Sequence, residues 1–97
     1  MLTGKQKRFL RSKAHHVKAL FQIGKQGLTE NFIEQLSELL EKRELVKIHV
    51  LQNCMEDKHV LAEELSTKTN AHIVQIIGNQ IVLYKQSEEN QRLTLPE

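Results

Sequence analysis

Two glycines bracket a lysine and a glutamine in the stretch Gly24-Lys25-Gln26-Gly27, and this stretch constrains the chain more than any other. A short apolar run, residues 19–23, leads into it, and a helix-start signal at Thr29-Glu30 follows. Glycine tolerates positive φ and lets another backbone come close. A Gly-x-x-Gly turn that opens a helix offers bare N–H groups and the positive end of a helix dipole, both suited to an anion such as phosphate. Lys25 at the tip adds a mobile positive charge. Taken alone, such a turn is more often a tight connection than a binding site, so its neighbours decide its meaning.

Those neighbours are basic. Residues 1–27 carry Lys5, Lys7, Arg8, Arg11, Lys13, Lys18 and Lys25 and no acid, whereas residues 28–97 carry seven basic and twelve acidic side chains. A net charge of +2 therefore hides a basic front on an acidic body, and a polyanion would be drawn to the front. Ninety-seven residues are enough for one domain with its own core. The single cysteine, Cys54, excludes an internal disulfide and fits a reducing, cytoplasmic location. The N-terminus lacks the apolar core of a secretory signal, and no apolar run reaches membrane-spanning length.

Periodicity predicts seven elements. Thr3-Gly4-Lys5-Gln6 has the spacing of a capping box at the start of a helix over 4–18. Leu10, Ala14 and Val17 share a narrow apolar face of that helix, and the bases, with His15, spread over the rest. Solvated helix faces normally mix signs, and this one does not. A strand over 19–23 precedes the turn. A helix capped by Thr29 follows, with Phe32, Ile33, Leu36, Leu39 and Leu40 facing inward. Residues 45–51 alternate as a strand with one buried side. Asn53 to Glu56 can cap a third helix over about 55–69, with Leu61, Leu65 and Val60 inward and Asn70 in a left-handed terminal position. Strands over 73–77 and 81–85 flank a Gly78-Asn79 hairpin turn. The order α-β-α-β-α-β-β predicts one α/β domain over 1–86, with a mixed four-stranded sheet packed by helices. Residues 87–97 read as a polar, flexible tail.

No catalytic set emerges. Cys54 reads as a small half-buried hydrophobe, and its spacing to His59 is not that of a zinc site. His15 and His16 point about 100° apart on a helix and do not chelate together. The turn lacks the pattern of a nucleotide-hydrolysing P-loop. An enzyme is not expected, nor a metal or cofactor. Aromatic residues are few, so nucleic-acid binding would rest on backbone charge and shape, with Phe9 and Phe21 as candidate platforms and core packing favoured for Phe21.

Leu2-Thr3-Gly4-Lys5-Gln6-Lys7-Arg8-Phe9-Leu10-Arg11, Ala14-His15-His16, Gln22 to Thr29, Glu44 to Ile48 and Ile77 to Lys85 together resemble the YhbY-like family, whose module is the CRM domain. The resemblance covers nearly the whole chain to about Lys85, in order. It implies a stand-alone bacterial member that binds RNA and associates with precursors of the large ribosomal subunit, with ribosomal proteins as possible neighbours. It also implies a fold similar to the C-terminal domain of translation initiation factor three and a turn similar to that of KH domains. Carried over, the RNA contacts would be Gly24, Lys25, Gln26 and Gly27 with Lys5, Lys7, Arg8 and Arg11, extended by Lys13, His15 and Lys18. Two rivals stay open: a protein-interaction module that docks an acidic partner on the basic face, and a targeting presequence in residues 1–18.

Overall fold

The computed structural model describes residues 2–97. Helix α1 spans Gly4–Ala14, strand β1 Ala19–Ile23, helix α2 Glu30–Arg43, strand β2 Leu45–Val50, helix α3 Lys58–Thr69, strand β3 His72–Ile77 and strand β4 Gln80–Tyr84. The strands form one sheet in the order β1-β2-β4-β3. β1 pairs parallel with β2, and β4 runs antiparallel to both β2 and β3. The hairpin thus folds the last strand into the middle of the sheet and leaves β1 at an edge. The predicted single α/β domain with a mixed four-stranded sheet is what the chain forms.

Strand alternation divides the core in two. Val46, Ile48 and Val50 of β2, with Ile81 and Leu83 of β4, face Leu36 and Leu40 of α2 and Leu61, Ala62 and Leu65 of α3. The other side of the same strands gives Leu45, Val82 and Tyr84, which with Val74 meet Leu10 and Ala14 of α1. β2 is therefore buried on both sides at its start, where one buried side was expected. α1 covers one sheet face, and α2 and α3 cover the other.

The caps form as their residue types require. Thr3 Oγ1 accepts from the Gln6 N–H at 3.1 Å while Gln6 Oε1 accepts from the Thr3 N–H at 3.0 Å, a complete capping box. Asn70 closes α3 in the left-handed region, and Gly78 takes positive φ in the hairpin. Three expectations are corrected. α1 stops at Ala14 instead of reaching 18: His16 and Val17 N–H groups turn back to Lys13 and Ala14 carbonyls in a tightened last turn, so Lys18 stands in the connection to β1. α3 begins at Lys58, because the Asp57 carboxylate accepts from the His59 and Val60 N–H groups, and Val60 is exposed.

The third correction concerns the C-terminus. Residues 87–97 are tied down where a frayed tail was expected. Glu41 accepts from the Ser87 hydroxyl and from the Glu88 and Glu89 N–H groups. Glu44 accepts from the Ser87, Arg92 and Leu93 N–H groups. Leu93 and Leu95 then pack against the α1 cluster, and Gln6 Nε2 donates to the Pro96 carbonyl at 3.1 Å. Glu44 is the hub of this arrangement. It is fully buried, its φ is 65°, its N–H donates to the Leu40 carbonyl and its own carbonyl accepts from the Lys85 N–H. Such a backbone disfavours a non-glycine residue, and five hydrogen bonds hold it there.

Candidate nucleic-acid interface

The two glycines of the turn are required for different reasons. A Cβ on Gly24 would lie 3.3 Å from Asn53 Oδ1 and 3.4 Å from Leu51 Cδ1, so the turn is pressed against the β2–α3 connection. Gly27 has open space around it but a φ of 67°, which favours glycine on backbone grounds. The turn closes on itself, the Gly27 N–H donating to the Gly24 carbonyl at 3.0 Å. Lys25 and Gln26 are left exposed at its tip. Two residues separate the turn from α2, and Thr29 Oγ1 already accepts from the Phe32 N–H. The glycine turn and the helix start are thus neighbouring features and do not form one continuous cradle of free N–H groups.

Lys5, Lys7, Arg8 and Lys13 are exposed on α1, Arg11 is half-buried, and His15 and Lys18 are exposed just beyond it. α1 enters β1 at one end and the turn leaves it at the other, so five residues of edge strand, about 16 Å, lie between them. The two halves of the expected site therefore flank β1 and do not form one cluster. Phe9 is half-buried against the α1 cluster, with Lys13 Nζ 5.5 Å from its ring centroid. Phe21 packs with Phe32 at 5.2 Å between centroids on the far face, as the core reading of that residue requires.

A pattern beyond the first quarter of the chain joins these parts. α1 and all four strands carry no acidic residue. Glu30, Glu34, Glu38, Glu63 and Glu64 stand on α2 and α3, across the sheet from α1. Lys47 and His49 on β2 alternate with Val46, Ile48 and Val50 and so face the α1 side, half-buried. In register, Gln22, His49, Gln80 and Ile77 form one row across the sheet. The helical acids thus stand on one side of the sheet and the acid-free helix on the other, with Glu97 next to the Pro96–Gln6 contact the exception. Lys47 and His49 were missed because an isolated base on a strand reads as an ordinary solvated position. Among the described residues no cluster of His, Cys, Asp or Glu could hold a metal ion.

The remaining electrostatics serve the tail. The Ser87 hydroxyl, followed by the Glu88 and Glu89 N–H groups, lowers the Glu41 carboxyl to about 2. Burial opposes charge at Glu44, but three backbone N–H groups outweigh it and hold that carboxyl below the usual range. Burial, with the Lys7 charge, lowers His72, which stacks on Tyr84 beneath α1.

The family model for the CRS1 / YhbY (CRM) domain matches residues 2–85. The chain belongs to the CRM family. A Bacillus subtilis protein named "Probable RNA-binding protein YqeI" is 59% identical over 96 residues, which cover 99% of this chain and 100% of that one. A Haemophilus influenzae protein named "RNA-binding protein" is 38% identical over 88 residues, 91% of this chain and 89% of its own. Among solved structures, that of SAV1595 from Staphylococcus aureus, described as a candidate RNA binding protein, superposes with a TM-score of 0.82. It is 56% identical and covers 99% of this chain and 100% of its own. The CRM match stops at residue 85, so the anchored C-terminal segment lies outside the part that defines the family.

Proposed function

We propose that this CRM protein binds RNA through its basic α1 side, acts on precursors of the large ribosomal subunit in the cytoplasm, and performs no catalysis. One observation carries the reading: basic α1 and the Lys25 turn flank an edge strand, and neither α1 nor any strand of the sheet contains an acidic residue. Phosphates would be met by Lys5, Lys7, Arg8 and Arg11 along the helix, with Lys13, His15 and Lys18 beyond them, and by Lys25 and Gln26 where Gly24 and Gly27 let the backbone approach. RNA as the ligand class is supported by the family and by the names of the relatives. The assembly role rests on the YhbY-like resemblance. Charge of this kind positions an RNA, while its shape and its protein neighbours supply selectivity.

The test is binding of precursor and mature large-subunit RNA at several salt concentrations, comparing wild type with Lys25→Glu and Arg8→Glu/Arg11→Glu. Affinity should fall steeply with salt, and the double variant should lose on the order of a hundredfold with a shallower salt slope. Circular dichroism checks that each variant is folded. Affinity indifferent to both variants would move the RNA elsewhere. No binding by wild type, together with retention of an acidic protein partner after nuclease treatment, would replace RNA by protein.

A further inference from the structure

Where α1 ends, β1 begins and α2 gives way to β2, the molecule has a cavity of about 490 Å³. Lys13, Lys18, Arg43 and Arg92 stand around it, with His16. Its apolar wall is made by Val17, Leu20, Leu45 and Leu93. These residues come from three separate stretches of the chain, and two of them belong to the anchored C-terminal segment. The one carboxylate that anchors this wall, Glu44, is turned inward and engaged by three N–H groups. Arg92 is held as well as present: its N–H donates to Glu44, and its Nε donates to the Lys42 carbonyl at 2.9 Å.

We propose that this cavity takes one unstacked nucleotide of single-stranded RNA, its base against the apolar wall and its flanking phosphates on the cationic rim. The inference rests on the RNA reading above and adds a base-holding site to it. Three properties select a nucleotide. The volume lies within the range of small-molecule sites. Two guanidinium planes and an imidazole are the groups on which splayed-out bases stack when aromatic rings are scarce. Four cations around an apolar wall match a flat apolar ring placed between two phosphates. A double helix has no free base to offer, so the site distinguishes single strands from duplexes.

The experiment measures binding of a short unstructured oligouridylate and of an A-form RNA duplex of equal length. Wild type is compared with Arg92→Gln, Leu20→Ser and Lys25→Glu, each checked for native circular dichroism. Leu20 is 56% exposed, so its replacement leaves the core intact. Arg92→Gln and Leu20→Ser should each weaken single-strand binding about tenfold and change duplex binding by less than about twofold. Titration of wild type with uridine monophosphate should shift amide resonances of residues 13–20, 43–46 and 92–93. Unchanged single-strand binding in both variants, with Lys25→Glu still weakened, would overturn the cavity and leave the RNA reading standing. Equal losses on strand and duplex would also overturn it, since the rim would then act as general charge. If wild type binds neither RNA, both readings fall, and an acidic peptide that shifts the amide resonances of these residues would assign the cavity to a protein.

Discussion

The two faces of the sheet are built to different rules. On one, α2 and α3 seal a broad apolar layer whose outer surface mixes acids and bases. On the other, α1 covers a smaller cluster that residues 93 and 95 complete, and the charged side chains of α1 itself are all basic. A surface of mixed sign is soluble and indifferent, while a surface of one sign attracts a partner at some cost in self-repulsion. One face is thus expected to supply most of the stability, and the other is the one proposed for binding.

Core truncation tests this division most directly. Leu61→Ala in the larger layer should cost about 3–4 kcal/mol, and Leu10→Ala under α1 about 2–3 kcal/mol, because the smaller cluster can relax toward solvent. Urea unfolding of both variants measures the difference. A larger loss for Leu10 would reverse the assignment of the stabilising face.

A smaller effect should follow from Glu44→Gln, which keeps the shape but removes the charge that three N–H groups share. We expect a loss of about 1–2 kcal/mol. Amide exchange should accelerate at Ser87, Arg92 and Leu93, while Leu61 and Ile81 stay protected. Uniform acceleration would mean that the segment is part of the global fold and is not a separately anchored strap.

Acid should release the same segment most gently. The Glu41 carboxyl sits at about 2 against an ordinary 4.5, and Glu44 shifts in the same direction. A lowered folded value means that the stabilisation is complete above about 4.5 and fades as pH falls toward about 2. Amide shifts of Ser87 and Glu88 followed from pH 6 downward should move in that window, ahead of the core. Movement centred above pH 5 would assign the anchor to another group.

Much of the fold was legible because local chemistry and tertiary packing agree. Thr3 and Gln6 cap, Asn70 and Gly78 turn, and Val46-Ile48-Val50 alternates, each within a few residues of its partner. The misreadings share a cause. Val17 continues the apolar stripe of α1 and does pack against its cluster, but from the connection, since burial does not require helix. Asn53 and Asp57 are both capping types, and only the path of the chain chooses between them. Leu93 and Leu95 look like isolated hydrophobes in a polar tail until Glu44, nearly fifty positions earlier, fixes the backbone at Arg92 and Leu93. The interface divides in the same way. The turn and the basic helix can be read locally, whereas the meeting of Lys13 and Lys18 with Arg43 and Arg92 depends on contacts that no spacing reveals.

The bond from Gln6 to Pro96 joins positions 90 apart. During synthesis, α1 emerges first and yet finds part of its seat only when residues 93–96 have been made. The layer under α2 and α3 needs nothing beyond β4 and can form earlier. The basic helix is therefore expected to lodge late, on an already folded sheet, so that the side proposed to meet RNA is completed last.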